Sequence, residues 1–252
     1  MSLLSVRDLR KTYASRSGGP ACRAIDGVSL DLEAGEFVAV MGPSGSGKTT
    51  LLNLMALLDR PDSGSISIEG QDSGELKGDA LASFRRRRLG FVFQDASLID
   101  TMTLRENICL PLALDRAGRD QIAQRVQEIA AALGIADILD KFPAETSGGQ
   151  RQRAACARAL SCGPALLLAD EPTGALDSKS GRDLMERFRE LHESGQAAVL
   201  MVTHDPFAAS WARRVIFLRD GRIFTEARRT GERRAFFDRI QEVQAAMEGG
   251  SR

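Results

Sequence analysis

Two kinds of apolar pattern run along the chain. Apolar runs stand at Phe37–Met41 (FVAVM), at 165–169 (ALLLA), at 197–202 and, behind Arg214, at 214–218. Runs of this length suit short strands covered on both faces, as in a parallel sheet with helices packed on it. Segments 3–9, 25–32 and 65–69 alternate apolar with polar residues, most clearly in Ser65-Ile66-Ser67-Ile68-Glu69. That alternation predicts half-exposed antiparallel strands. SRSGGP at 15–20 predicts a hairpin loop between the first two of them.

Helical spacing accounts for much of the rest. LLNLMALL follows Thr50, and Ile122, Val126, Ile129 and Leu133 share one helix face that Gly134 closes. A further helix is expected at about 181–193, carrying His192 to solvent. Residues from about 95 to 150 carry no strong strand signal. In the tail, Phe236, Ile240, Val243 and Met247 predict a helix that packs on its own domain or on a second copy. The expectation is an α/β fold with a mostly parallel central sheet, an antiparallel β subdomain and an inserted helical subdomain at about 95–160. The main domain is expected over 1–230, with a C-terminal helix and tail over 231–252.

Chemistry enters at the end of the first apolar run. Residues 42–49 read Gly-Pro-Ser-Gly-Ser-Gly-Lys-Thr, the pattern G-x-x-x-x-G-K-[ST] between a strand and a helix. Gly42, Gly45 and Gly47 let the backbone curl and approach anionic oxygens without a Cβ in the way. The N–H groups of Ser46, Gly47 and Lys48 then face a β-phosphate from the positive end of the helix. Lys48 is expected to reach the β- and γ-phosphates, and the Thr49 hydroxyl to ligate Mg²⁺. Ser44 and Thr50 complete the set expected to bind ATP. The fold is therefore read as that of a P-loop NTPase.

A second motif lies far downstream. Ser147-Gly148-Gly149-Gln150 opens a helix expected to run to about Ala159, with Ser147 as its N-cap. The apolar run at 165–169 follows, ending in Asp170-Glu171. An acid at a strand end is the expected second contact on the Mg²⁺ side. The neighbouring Glu171 carboxylate suits the polarisation of an attacking water.

These residues together resemble the ATPase subunits of ABC transporters, over essentially the whole chain. The resemblance implies that Tyr13 stacks on adenine. It implies that Gln94, ending GFVFQ, contacts Mg²⁺ and the attacking water and senses the membrane subunit. Asp170 becomes the Mg²⁺-side aspartate and Glu171 the catalytic carboxylate. Asp177, in Ala175-Leu176-Asp177, meets the partner copy, and His204 in MVTHD is the switch histidine at the γ-phosphate. The family usually carries leucine before S-G-G-Q, where this chain has Thr146; leucine there serves packing, so the phosphate contacts are expected to survive. The signature Ser147, Gly148, Gly149 and Gln150 is implied to act in trans, on ATP held by a second copy in a head-to-tail homodimer.

GFVFQ, ADEPTGALDSKSG and VTHDPFAASWARRVIFLRDGRI are similar to the branch that holds lipoprotein-release, macrolide-export and peptide-resistance ATPases. TLRENICLPLAL and GERRAFFDRIQEVQAAMEGG most resemble its bacitracin-type group. That likeness implies an integral membrane permease as partner, a link through it to a sensor histidine kinase, and a place on the cytoplasmic face of the cell membrane. Lipoprotein release or macrolide export is the alternative within transporters. A P-loop kinase has no use for the S-G-G-Q helix start or for His204. A repair ATPase of the superfamily carries a long coiled coil between its halves, for which 252 residues leave no room.

Composition narrows little further. The formal net charge is +0 at pH 7, which gives no bulk electrostatic reason to expect nucleic acid as a partner. No apolar stretch approaches the ~18 residues that would span a bilayer, and the N-terminus lacks a secretory pattern. Cys22, Cys109, Cys156 and Cys162 show no C-x-x-C spacing and are expected as reduced, mostly buried thiols. The RRRR run at 85–88 is expected to be the solvated end of a helix, with contact to anionic lipid as the other reading.

Overall fold

The computed structural model describes residues 2–14, 21–195 and 197–249, so the hairpin loop expected at 15–20 lies outside the described residues. In chain order the strands are β1 (Ser2–Tyr13), β2 (Cys22–Glu33), β3 (Phe37–Met41), β4 (Ser63–Ile68), β5 (Gln71–Asp72), β6 (Leu89–Val92), β7 (Leu166–Asp170), β8 (Ala198–Val202), β9 (Arg214–Arg219) and β10 (Arg222–Arg228). The helices are α1 (Lys48–Met55), α2 (Gly78–Arg88), α3 (Leu104–Leu114), α4 (Arg119–Ala132), α5 (Gly148–Leu160), α6 (Ser178–Glu193), α7 (Pro206–Ala209) and α8 (Arg233–Gly249). They form two compact units, residues 1–77 with 200–252 and residues 78–199.

In the first unit β1 pairs antiparallel with β2 and with β4, and β5 extends the sheet beyond β4. Leu4, Val6 and Leu9 of β1 are buried while Arg7, Asp8 and Arg10 are exposed. This is the pleat expected of a sheet with one wet face. Every residue of β3 is buried, as its continuous apolar run predicts. β9 lies parallel to β3, with Val38 opposite Arg214 and Met41 opposite Phe217. On the other side of β3 the Thr203 N–H, just past β8, donates to the Val40 carbonyl at 3.1 Å. Arg214 is buried and fixes three segments at once. Its guanidinium donates to Glu36 at 2.8 Å, to the Asp31 carbonyl at 2.6 Å and to Glu226 at 3.2 Å. The tail helix α8 buries Phe236, Ile240 and Met247, the face its spacing predicts.

In the second unit β6 and β7 run parallel, with Leu89 opposite Leu166 and Val92 opposite Ala169. Helices α3 to α5 supply the helical subdomain, and α6 buries Leu184, Met185 and Phe188. The architecture is thus a mostly parallel sheet with an antiparallel β subdomain and an inserted group of helices.

Several details differ from the sequence reading. β10 pairs antiparallel with β9, although RIFTEAR carries too many charges to stand out as a strand. α3 runs through Pro111, which sits near its C-terminal end. His192 is half-buried rather than fully solvated. Of the four cysteines, all free, Cys156 is buried, Cys109 and Cys162 are half-buried and Cys22 is exposed.

Candidate active site

The phosphate loop joins β3 to α1 in the first unit. Gly47 stands at the α1 N-cap with φ 98°, and no side chain among the described residues caps that end. The first-turn N–H groups of α1 therefore remain directed at whatever anion the loop meets. Glycine is required by space as well as by φ. A Cβ on Gly42 would lie 2.1 Å from the Leu218 carbonyl oxygen, and one on Gly47 would lie 2.2 Å from that of Ala24. Ser44 and Gly45 are exposed at the turn, while Ser46 is buried and its Oγ lacks a hydrogen-bond partner among the described residues. A buried hydroxyl without a protein partner fits a loop shaped around ligand oxygens. Lys48 Nζ donates to the carbonyls of Gly42 at 2.9 Å and Pro43 at 3.0 Å, so its ammonium lies across the loop. Thr49 is exposed beside it and Thr50 is half-buried.

Tyr13 ends β1 in the same unit and is 41% exposed. Its hydroxyl donates to Asp59 Oδ2 at 2.7 Å, and Lys11 Nζ lies 5.2 Å from its ring centroid. Burial and the Asp59 carboxylate push the phenol pKa above its ordinary value, while the Thr50 hydroxyl opposes the shift. The ring is thus pinned at its polar end next to the phosphate-loop helix, with much of its surface open. His204 is exposed two positions beyond β8. Asp205 behind it donates its N–H to Thr203 Oγ1 at 3.0 Å, and its carboxylate accepts from Phe207 N at 2.8 Å. These bonds brace the backbone on which His204 sits.

The second unit holds the remaining candidates. β6 ends at Val92, so Gln94 lies in the following loop rather than at the strand end. A Cβ built on Gly174 would lie 3.2 Å from Gln94 Nε2 and 3.6 Å from Glu171 Cβ, which places Gln94 and Glu171 around one glycine. Asp170 closes β7, half-buried, and Glu171 follows it with φ 44°. The left-handed region is unfavourable for a residue with a side chain, and such strain gathers at functional positions. The Gly174 N–H helps to hold the turn by donating to the Glu171 carbonyl at 2.9 Å.

Ser147 caps α5 as its position predicts. Its Oγ accepts from Gln150 N at 3.2 Å, and Gln150 Oε1 accepts from Ser147 N at 2.9 Å. The serine hydroxyl keeps its own proton for donation elsewhere. A Cβ on Gly149 would lie 2.8 Å from Ser180 Oγ, so α5 and α6 meet at this glycine. Ser180 Oγ in turn donates to Asp177 Oδ2 at 2.7 Å, and Asp177 Oδ1 accepts the N–H groups of Lys179 and Ser180 at 3.0 Å. The Ser180 hydroxyl and these amides hold the Asp177 carboxyl below its ordinary pKa. The signature start and the Asp177 loop are therefore one packed cluster.

Sequence reasoning missed the residues that support these sites. Asp59 anchors Tyr13, and Ser180 joins Gly149 to Asp177. Gln152 Nε2 donates to the Phe93 carbonyl at 2.9 Å, and Arg158 donates to the carbonyls of Ser97 at 2.8 Å and Ala96 at 3.1 Å. Only Ser180 left a local signal, since Asp-x-x-Ser ahead of an amphipathic helix marks a cap.

No cluster of three or more His, Cys, Asp or Glu side chains suited to a metal occurs among the described residues. Thr49 in the first unit offers a hydroxyl and Asp170 in the second a carboxylate, each a hard oxygen donor of the kind Mg²⁺ takes beside waters and phosphate oxygens.

The ABC transporter family pattern matches residues 25–174. The chain belongs to the ABC transporter family. It is 49% identical to the ABC transporter ATP-binding protein YxdL of Bacillus subtilis, over 99% of this chain and 96% of that one. It is 45% identical to the bacitracin export ATP-binding protein BceA of Halalkalibacterium halodurans, over 99% and 98% of the two chains. It is 41% identical to the macrolide export protein MacB of Hyphomonas neptunium, where it covers only 38% of a longer ATP-binding/permease chain. Among solved structures it resembles the dimeric cassette MJ0796 bound to ADP and Pi, with a TM-score of 0.84, 38% identity and coverage of 91% of this chain and all of that one. As an ATP-binding subunit of this family the chain is an ATP hydrolase.

The geometry accounts for the one departure from the family motif. Thr146 is buried and its hydroxyl donates to the Pro143 carbonyl at 2.8 Å, while Arg151 donates to the Thr146 carbonyl at 2.6 Å. A polar residue is tolerated because its hydroxyl is satisfied within the turn. Part of the RRRR run is also internal to the ABC domain. Arg86 and Arg87 both reach Asp115 Oδ1, at 3.2 and 2.7 Å, tying α2 to the end of α3.

Proposed function

We propose that this chain energises the efflux or removal of antimicrobial peptides of the bacitracin type, as the ATPase of a membrane complex. The observation that carries the reading is a phosphate loop whose helix end is left uncapped by side chains, in a chain matching a bacitracin export ATPase from end to end. Tyr13 stacks on adenine through its open face, one non-specific handle on a base. The N–H groups of Ser46, Gly47 and Lys48 bind the β-phosphate, and the Lys48 ammonium adds charge-assisted bonds to the β- and γ-phosphates. Thr49, Asp170 and Gln94 would hold Mg²⁺, which supplies charge neutralisation of the phosphate oxygens when bound. Glu171 polarises the attacking water, Gln94 orients it and His204 contacts the γ-phosphate.

Two copies work head to tail. Ser147, Gly148, Gly149 and Gln150 of one copy face the nucleotide bound by the other, with Asp177 at the contact. Support comes from the dimeric state of the MJ0796 cassette and from the packing of Gly149, Ser180 and Asp177 into one cluster. ATP then favours the closed pair and hydrolysis releases it, a difference in affinity between two states that can drive motion. No helix among the described residues is long and apolar enough to cross a membrane. On the likeness to export ATPases, the partner in the bilayer is an integral membrane permease, through which a sensor histidine kinase is coupled. The ATPase sits on the cytoplasmic face, as a main domain of 1–230 with its tail helix beyond.

Glu171→Gln tests the chemistry. It keeps shape and hydrogen bonding but removes the negative charge, so ATP binding is retained while turnover falls at least ~100-fold. Near-normal ATPase activity of the purified variant would sink the assignment. Macrolide export is the second reading, favoured by the MacB likeness. In a strain lacking the chain's gene, sensitivity to bacitracin with unchanged macrolide tolerance supports the first reading, and the reverse pattern supports the second.

A further inference from the structure

Asp26 lies in β2, outside every motif assigned above, yet it gathers three arginines. Its side chain is 6% exposed and accepts from Arg10 Nη1 at 2.5 Å, Arg23 Nη1 at 3.3 Å and Arg222 Nη2 at 2.5 Å, with Arg222 Nε at 2.9 Å. Asp8 takes the other end of Arg10 at 3.0 Å. A single buried carboxylate holding this much charge is costly to remove from water unless it is well paired, and here it is. The Arg222 guanidinium, foremost, and Arg23 hold its pKa below the ordinary carboxylate range.

The backbone around this cluster leads to the phosphate loop. The Asp26 N–H donates to the Gly221 carbonyl at 2.8 Å, and the Gly221 N–H donates to the Ser46 carbonyl at 3.0 Å. Asp26 thus grips the turn between β9 and β10 twice, through its amide at Gly221 and through its carboxylate at Arg222. The turn takes left-handed backbone at both residues, Asp220 at φ 50° and Gly221 at φ 73°, and a Cβ on Gly221 would lie 2.8 Å from the Ala24 carbonyl oxygen. In a trans peptide the carbonyl and the N–H point in opposite directions. With the Ser46 carbonyl turned toward Gly221, the Gly47 N–H of the same peptide must point away from the turn, into the face that receives phosphate.

We propose that Asp26 is a positioning residue for nucleotide binding, which through Arg222 and Gly221 fixes the peptide plane between Ser46 and Gly47 and so aims the Gly47 N–H at the β-phosphate. The proposal rests on the phosphate-loop reading above and adds to it a device outside the motif. Arg10 and Arg23 keep the carboxylate paired when Arg222 is lost, so Arg222→Ala interrupts the grip on the turn without stranding a buried charge.

The test measures ADP and ATP affinity by calorimetry, with steady-state ATPase kinetics, for Asp26→Asn, Arg222→Ala and the double variant. Misaligning one phosphate-facing donor is expected to weaken binding by about 2- to 10-fold. The loss should be equal for ADP and ATP, since both carry the β-phosphate, should appear in KM more than in kcat, and should be no larger in the double variant than in Asp26→Asn alone. A purely structural role predicts a lower melting temperature with unchanged ADP affinity, and that result overturns the proposal. So does full additivity of the two single effects. Arg222→Lys, altering a side chain that is 69% exposed, keeps the measurement possible if Asp26→Asn does not fold; unchanged ADP affinity in Arg222→Lys and Arg222→Ala together also overturns it. Lys48→Ala serves as the reference: if it too leaves ADP affinity intact, the phosphate-loop reading fails rather than this one.

Discussion

Lys48 and Cys156 each carry a consequence that a single substitution reads out. The Lys48 ammonium lies over the Gly42 and Pro43 carbonyls, within the loop proposed to receive phosphate. The proposed contact with phosphate would be charge-assisted, a class worth roughly 1.5–3 kcal/mol. Lys48→Ala is therefore expected to weaken ATP binding at least ~10-fold, since 1.4 kcal/mol is one decade. Unchanged affinity by calorimetry would mean that this loop does not hold the nucleotide. Cys156 is buried in α5 and burial pushes its thiol pKa up to about 12, from 9.0. The folded state keeps the proton while the unfolded chain loses it, so the stabilising term is complete below pH 9 and fades as pH rises toward 12. Each pH unit in that window costs up to about 1.4 kcal/mol. Cys156→Ala should flatten the fall in stability on the alkaline side, as read by urea melts at stepped pH. At neutral pH the exposed Cys22 should react first with a thiol reagent. An alkaline slope identical in Cys156→Ala and the parent would contradict this account.

At the scale of elements, legibility in the sequence followed locality. β3 and β7 were readable because their apolar runs are continuous and bounded, and the phosphate loop because its glycines, lysine and threonine are consecutive. Ser147 was readable as a cap for the same reason. The supports were not. Arg222 and Asp26 are 196 positions apart, and Arg158 meets Ala96 across 62, so no local pattern announces them. Charge hid β10, and Pro111 hid α3. The Arg158 contacts carry a consequence for the Gln94 loop. Ala96 and Ser97 stand at φ 64° and 44°, a conformation that costs of order 1–3 kcal/mol per residue. Two charge-assisted bonds from Arg158, each about 1.5–3 kcal/mol, offset that strain. Arg158→Ala should release the loop, lowering ATPase turnover while leaving the ATP affinity set by the phosphate loop largely in place. Loop release would show as faster amide exchange over 94–97, and unchanged exchange there would remove the basis for the effect.

For the molecule as a whole, the question is whether one chain is enough. The signature serine accepts one hydrogen bond in its own cap, and its O–H and the α5 helix start remain able to receive an anion. If that anion is the γ-phosphate held by a second copy, Ser147→Arg should leave ATP binding by the single chain nearly intact and abolish hydrolysis at the site it enters, because a bulky cation blocks the helix start from the partner's γ-phosphate. Mixing Ser147→Arg with Lys48→Ala gives heterodimers in which one composite site keeps both intact residues and the other carries both lesions. ATPase activity should then rise above that of either variant alone. The sharper measurement removes turnover altogether. In a Glu171→Gln background ATP is bound but not cleaved, so the closed pair should accumulate and be countable by mass photometry. Ser147→Arg placed in that background should prevent ATP-dependent pairing. Pairing as strong as in the Glu171→Gln parent would show that the signature does not act on the partner's nucleotide, and the head-to-tail mechanism would have to be abandoned.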